Sequence, residues 1–235
     1  MIINKKQFIT GIVLLLIFTA VFITMMSPVM NGKTVIQAAD DLFNQLTKGS
    51  TYSIPKVTDK AAKFEGTSFQ VSVKAESPED VEKYTKVFSA AGAQVTPAGG
   101  KVKIAGDLGK VSVAALNDAD IEFNNNGAQL KSKYGMESRE VIYYWYNGFK
   151  AISAQYKLDN KVKELDIVNS VMTKGLEPAY NFEGIQAVKV NERSGITTFM
   201  LVFYVLYTIL YGFAIMYLFE GLGIVASSHG EKAEA

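Results

Sequence analysis

The sequence predicts an α+β protein with two transmembrane helices, one near each end of the chain, and a folded domain between them. Residues 8–26 carry no charge, and neither do residues 196–219. At ~1.5 Å per residue, both runs are long enough for the hydrocarbon core of a bilayer. The residues between them have the composition of one globular domain, with alternating and helical apolar patterns.

The first apolar run is either a cleaved signal peptide or an uncleaved transmembrane helix. Lys5 and Lys6 stand just before it, as they do in a secretory signal. A cleaved signal has an apolar region of roughly 7–15 residues followed by a small-residue cleavage site. The run here is longer, and Ser27-Pro28 at its end offers no such site. We therefore favour an uncleaved transmembrane helix over residues 8–26, preceded by a short tail of residues 1–7.

The second apolar run extends over residues 196–226, and Glu220 is the charge within it. A helix of this length that is apolar on every side is typical of a membrane span. The basic N-terminal tail favours the cytoplasmic side. Two spans then return residues 227–235 to the cytoplasm and leave residues 27–195 outside it. We expect a protein of the cell membrane, the inner membrane in a bacterium, with its middle domain in the periplasm or outside the cell.

The segment between Thr67 and Gly106 predicts a β-α-β-β unit. Apolar and polar residues alternate from Phe69 to Ala75, which indicates a half-buried strand. Ser77 followed by Pro78 is typical of the cap and first turn of a helix. The turn residues at 97–100 then separate two short apolar segments, as in a β-hairpin.

Further helices are predicted after this unit. One runs from Asp107 to about Phe123, and a closing strand at residues 184–190 would complete a split β-α-β sandwich. Residues 137–158 and 162–176 show helical apolar spacing, which predicts an αα-hairpin. A fold of this shape carries no function by itself.

Composition excludes several classes of function. The chain has 24 basic and 23 acidic residues, which gives no basic excess for binding nucleic acid. It has no cysteine and one histidine, His229. Disulfides, iron–sulfur clusters and Cys/His zinc sites are therefore excluded within the chain. No phosphate-binding loop or nucleophile motif is present, so we predict no enzyme, no cofactor and no metal.

Four consecutive aromatic residues form the most unusual string in the domain. On a helix they span about 300° of the circumference, so they cannot all face one core. They pack on the sheet and the hairpin, or the outward rings contact a partner subunit, the lipid headgroups or a sugar. The residues are Tyr143, Tyr144, Trp145 and Tyr146.

The acidic segment Asp118-Ala119-Asp120-Ile121-Glu122 resembles the start of a calcium-binding loop. The EF-hand pattern needs glycine at its sixth position, where this chain has Phe123. We therefore expect a solvated helix end here.

The second apolar run places three tyrosines on one helix face. Tyr204, Tyr207 and Tyr211 are spaced three and four residues apart, and Thr208 and Gly212 form a pair of small residues beside them. Phenol hydroxyls within a bilayer need partners, and small residues allow a second helix to approach closely. This predicts a helix-packing face for the first span or for another subunit. A quinone or lipid site on the same face is the sharper alternative.

Glu220 is an ionisable residue within an otherwise apolar run, a pattern that often marks a functional site. Its position after 24 uncharged residues indicates the cytoplasmic interface instead. Snorkelling to the headgroups and a role in ion or proton movement are both open.

These features favour a non-catalytic accessory or scaffold subunit of a larger membrane complex of respiration, transport or secretion. Its partners would be other integral membrane subunits and the lipid bilayer. The alternative is a sensor or ligand-binding domain anchored by two helices. A sensor normally needs a cytoplasmic output domain, and the predicted tails are short.

Overall fold

The computed structural model describes residues 2–224. They form a mostly helical α+β structure with a small antiparallel sheet. The chain divides into two compact units, one made of the residues up to Phe43 and those from Lys189 onward, the other of Asn44–Val188. The boundary between them falls within helix α2, Val35–Thr51.

The first unit contains two helices that are long and apolar enough to cross a membrane, α1 (Lys5–Met26) and α10 (Ser194–Leu222). Helix α1 begins before the predicted residue 8 because the Asn4 side chain caps it, accepting from the Gln7 N–H.

Helix α10 ends earlier than predicted. Gly223 adopts the left-handed conformation, with φ of 75°, and closes the helix after Leu222. The predicted last residues of this span, 225 and 226, lie outside the described residues. So do His229 and the predicted C-terminal tail of residues 227–235.

The second unit holds the sheet and most of the shorter helices. A π-helical turn, Met172–Leu176, joins its last two helices. The elements in chain order are α3 (Ile54–Ala61), β1 (Ser68–Lys74), α4 (Pro78–Ser89), β2 (Gln94–Pro97), β3 (Lys101–Asp107), α5 (Leu108–Phe123), α6 (Gly127–Tyr134), α7 (Ser138–Leu158), α8 (Val162–Val171) and α9 (Glu177–Asn181).

The sheet has three strands in the order β1-β3-β2, and neighbouring strands are antiparallel. Its alternating pattern puts Phe69, Val71 and Val73 on the buried face. Helices α4, α5 and α7 contact the strands from this side. The opposite face carries polar residues such as Gln70 and Ser72 and is exposed.

Local caps explain where the helices of this unit begin. Ser77 and Asp80 form a capping box at the start of α4, each side chain accepting from the other's backbone N–H. Asp107 caps α5 by accepting from the Lys110 N–H, and it also accepts from the N–H of Gly66. The two helices of the predicted αα-hairpin, α7 and α8, are separated by a turn at Asp159–Asn160, where Asn160 has φ of 54°.

The predicted closing strand at residues 184–190 was wrong. This segment is irregular and ends in a single 3₁₀ turn, Val190–Glu192. Its polar backbone groups have other partners, since the Val188 N–H donates to the Gln45 carbonyl and the Ile185 carbonyl accepts from Lys48. The sheet therefore stops at three strands and β1 lies at its edge.

Candidate docking surfaces

Helices α1 and α10 pack against each other through aromatic side chains. The rings of Phe18 and Tyr207 stack with centroids 4.4 Å apart, and Tyr211 lies 5.0 Å from the same Phe18 ring. The Tyr207 hydroxyl donates to the backbone carbonyl of Phe18 at 3.1 Å. One of the three phenols on the predicted face thus finds its partner in the first apolar helix, in its backbone rather than in a polar side chain.

Two glycines allow the helices to approach closely. A Cβ added at Gly11 would lie 2.7 Å from the Leu218 backbone nitrogen, and one at Gly221 would lie 2.6 Å from the Phe8 Cα. Neither residue was singled out from the sequence, although a glycine inside an apolar run is a recognisable signal of close packing. By contrast, a Cβ at Gly212 would meet no described atom within 4 Å.

The remaining part of the predicted face is only partly covered by α1, and we call it the α10 outer face. The side chains of Tyr204 and Tyr211 are 67% and 46% exposed. No hydroxyl partner for either is found within residues 2–224. Thr208 donates to the Tyr204 carbonyl of its own helix at 2.8 Å. The α10 outer face consists of Tyr204, Thr208, Tyr211 and Gly212.

An apolar cleft of about 760 Å³ lies within the first unit, beside this face. Its walls come from α1 near Met25, from the start of α2 between Val35 and Phe43, and from α10 between Ile196 and Tyr207. The lining is almost wholly apolar, and Tyr204 and Tyr207 both contribute to it. Such a lining suits an acyl chain or another apolar side chain.

Glu220 lies where the other ends of the two helices meet. Its carboxylate accepts a hydrogen bond from the Gln7 side-chain amide at 2.7 Å. Next to it, the Gly221 carbonyl accepts from the N–H groups of Ile3 and Asn4 at 2.9 and 3.1 Å. These bonds fix the start of α1 to the end of α10 and give Glu220 a structural partner.

Three of the four consecutive aromatic residues on α7 pack or hydrogen-bond within the second unit. Trp145 is fully buried and donates to Asp118 at 2.9 Å, and Tyr144 is 6% exposed. The Tyr146 hydroxyl donates to Glu177 at 3.2 Å. Tyr143 differs from the other three, because its side chain is 52% exposed.

Tyr144 and Asp80 form a charged hydrogen bond at the start of α4. The Tyr144 hydroxyl donates to the Asp80 carboxylate at 2.7 Å. Burial and the nearby carboxylate raise the pKa of Tyr144 well above its ordinary value. The same hydrogen bond lowers the pKa of Asp80. The pair ties the outer turn of α7 to α4 and leaves Tyr143 beside it on the surface.

The predicted solvated end of α5 was partly wrong, because Asp118 and Glu122 are buried. Asp118 accepts from Tyr134, Trp145 and Lys133 at 2.5–2.9 Å. Asp120 instead accepts from the Tyr52 hydroxyl. The three carboxylates of the segment therefore have separate surroundings. Asp118 follows Val111 and Ala115 at helical spacing, so it lies on the same face of α5 as these buried residues. That spacing was the sequence signal for its burial.

A buried lysine that the sequence did not reveal holds the end of this unit in place. Lys48 is 1% exposed and donates to the carbonyls of Phe182 and Ile185 and to the Asn125 side chain. Burial lowers the pKa of Lys48, and the nearby Glu122 carboxylate opposes that effect. Lys48 therefore satisfies the Phe182 carbonyl and, within the segment predicted as a fourth strand, the Ile185 carbonyl.

Two surfaces stand out once the internal partners are assigned, the α10 outer face and the region around Tyr143. No family model, no curated protein and no solved structure matches the chain significantly. The function therefore has to be inferred from these surfaces.

Proposed function

We propose that the chain is a non-catalytic accessory or scaffold subunit of a larger membrane complex, such as a respiratory, transport or secretion assembly. Helices α1 and α10 both cross the membrane, with both termini in the cytoplasm. The second unit lies on the other side of the membrane, in the periplasm of a bacterium or outside the cell. Docking to the other membrane subunits uses the α10 outer face and the folded domain.

The α10 outer face is the observation that carries this proposal. Helix α1 occupies one side of α10, yet the phenols of Tyr204 and Tyr211 remain without partners in the described residues. An unpaired hydroxyl in hydrocarbon costs about 1–3 kcal/mol by mutational scales. A neighbouring helix that approaches at Gly212 and Thr208 supplies acceptors and removes that cost. A protein alone in the bilayer would retain it.

Replacing Gly212 with leucine tests the proposal. The new side chain has space in the isolated chain, because no described atom lies within 4 Å of its Cβ. The α1–α10 pair and the folded domain should therefore be unaffected, while close approach by an outside helix is blocked. We expect Gly212→Leu to lower the yield of co-purifying membrane subunits at least fivefold. The yield is measured by quantitative mass spectrometry after extraction in a mild detergent.

Two matched variants control this experiment. Gly212→Ala keeps the surface small and should retain most of the partner. Gly221→Leu places its side chain against the Phe8 backbone, so it should lower thermal stability instead of acting on the outer face. Undiminished recovery of partners with Gly212→Leu would show that this face is not the docking surface. A wild-type protein that runs alone as a monomer would contradict the subunit proposal itself.

A further inference from the structure

The outer edge of strand β1 has free backbone groups. The Leu108 N–H donates to the Thr67 carbonyl, and the Ala75 N–H donates to the Gly100 carbonyl. These two bonds show which residues of β1 exchange backbone hydrogen bonds with β3. They are the odd-numbered ones, because hydrogen-bonded and non-hydrogen-bonded pairs alternate along an antiparallel ladder. The N–H and C=O groups of Gln70 and Ser72 therefore point away from the sheet. Within the described chain no group bonds to this edge.

The two edges of the sheet differ in how they are protected. Strand β2 has four residues and ends in Pro97, which cannot donate a ladder hydrogen bond. Strand β1 has seven residues in unbroken register, with no proline and no bulge. Lys74 is its one charged residue and lies at its end. Proteins usually block a long free edge with such devices, so the bare edge of β1 is suited to pairing.

A groove lies beside this edge, with helix α7 as its other wall. It is a hollow of about 450 Å³ in which Tyr143, Asn147 and Lys150 face Ser72–Lys74. A second hollow, of about 460 Å³, adjoins Ser68–Val71 and the end of α7, and it also reaches β3 and the start of β2. Every residue of β1 lines one of the two hollows. An edge strand facing a helix is an arrangement in which an extended peptide is bound as an added strand.

The charges in the groove select the peptide. Its carboxylates already have partners. Asp80 accepts from Tyr144, Asp159 accepts from the Gln155 side chain, and Glu76 forms an ion pair with Lys74. Lys150 is exposed and has no ion-pair partner in the part of the chain that the structure describes. A carboxylate on the bound segment would supply one.

We infer that the groove between β1 and α7 binds an extended segment of a partner polypeptide as a fourth strand, with an acidic side chain of that segment near Lys150. The inference rests on the proposed function, since it states how the folded domain would hold a partner. It explains why Tyr143 remains exposed, whereas the three aromatic residues that follow it have partners within the second unit.

A peptide-display experiment on the full-length protein in detergent tests this inference. A phage library of random nine-residue peptides is selected on the wild type, and the enriched sequences are synthesised with a fluorophore. Binding is then measured by fluorescence anisotropy. Ser72→Pro removes one outward N–H without removing a bond to β3. We expect it to weaken binding at least tenfold, and Ser72→Ala, which keeps the N–H, to change binding less than twofold.

Further readings separate edge pairing from a folding defect. Thermal melting shows whether Ser72→Pro is folded, and Gln70→Pro repeats the test at a second outward N–H. Lys150→Glu should weaken peptides that carry a carboxylate by about tenfold and leave neutral peptides unchanged. On the wild type, hydrogen exchange at the amides of Gln70 and Ser72 should slow when peptide is bound.

Three results would overturn the inference. In the first, the selection yields no peptide. In the second, a peptide binds equally to the wild type and to folded Ser72→Pro. In the third, light scattering shows that the wild type is a dimer and that Ser72→Pro dissociates it. The last result would assign the edge to a second copy of the chain. The proposed function is judged separately, by recovery of membrane subunits with Gly212→Leu. Loss of peptide binding alone leaves that result unchanged.

Discussion

At the scale of single residues, Asp118 shows how a carboxylate can organise a core. It lies on α5 and accepts from Tyr134 and Lys133 at the end of α6 and from Trp145 on α7. Its side chain is 1% exposed, whereas that of Lys133 is 47% exposed. The carboxylate is therefore held mainly by two aromatic donors, and the lysine adds an ion pair that is half in water.

We predict that Asp118→Asn lowers the free energy of unfolding by about 1.5–3 kcal/mol, the range for hydrogen bonds to charged groups. Asparagine offers one oxygen where the carboxylate offered two, and its N–H₂ group faces a donor. Lys133→Gln is the matched change on the exposed side and should cost less than about 1 kcal/mol. Urea unfolding followed by tryptophan fluorescence measures both. Equal effects of the two variants would contradict the dominant role of the aromatic donors.

Glu122 makes the stability of the second unit depend on pH. Burial raises the pKa of Glu122 above its ordinary 4.5, and the hydrogen bond to Ser138 and the nearby charges of Lys48 and Arg139 oppose this only in part. One carboxylate oxygen of Glu122 has no hydrogen-bond partner among the described residues. A raised pKa means that the folded state binds the proton more tightly than the unfolded state does.

We predict that this unit loses stability as the pH rises from about 4.5 through the raised pKa of Glu122, because the folded state must then hold a buried charge. Glu122→Gln cannot ionise, so its stability should vary less over that range. Chemical denaturation at several pH values measures the difference between the two proteins. The prediction fails if both proteins show the same slope.

At the scale of elements, the sequence was informative where local patterns decide the structure. Two predictions are confirmed, the strand from the alternation between Phe69 and Val73 and the helix cap at Ser77. Both depend only on residues that are close together in sequence. The segment at 184–190 was read wrongly as a strand. Its apolar spacing fits a strand, but its Ile185 carbonyl accepts from Lys48, which lies 137 residues away in sequence.

The pair of helices α1 and α10 also shows that local sequence patterns do not reveal contacts between distant segments. The tyrosine and small-residue pattern on α10 was visible in one helix, yet the contact between α1 and α10 depends on Gly11 and Gly221 in two distant segments. The Tyr207 hydroxyl found a backbone carbonyl as its partner, and sequence patterns do not reveal such an acceptor. Propensities describe one segment at a time, whereas close packing is a property of two segments.

At the scale of the whole molecule, the distribution of apolar residues was the strongest signal. It predicted two long apolar helices near the two ends of the chain, and both are present. The side of the membrane on which the second unit lies is a separate question, since it depends on the charges that flank the helices rather than on the fold. Lys5 and Lys6 favour a cytoplasmic start, while Arg193 lies at the start of α10. A direct measurement has to decide between these charges.

Cysteine labelling provides that measurement, because the chain has no cysteine of its own. Ser132 is exposed on α6 in the second unit, and Ser228 belongs to the predicted cytoplasmic tail, outside the described residues. We expect Ser132→Cys to react with a membrane-impermeant maleimide in intact spheroplasts, and Ser228→Cys to react only after the membrane is opened. Equal labelling of both after opening controls for reactivity. Reversed labelling in intact cells would place the second unit in the cytoplasm, and labelling of both would mean that α1 and α10 do not both cross the membrane.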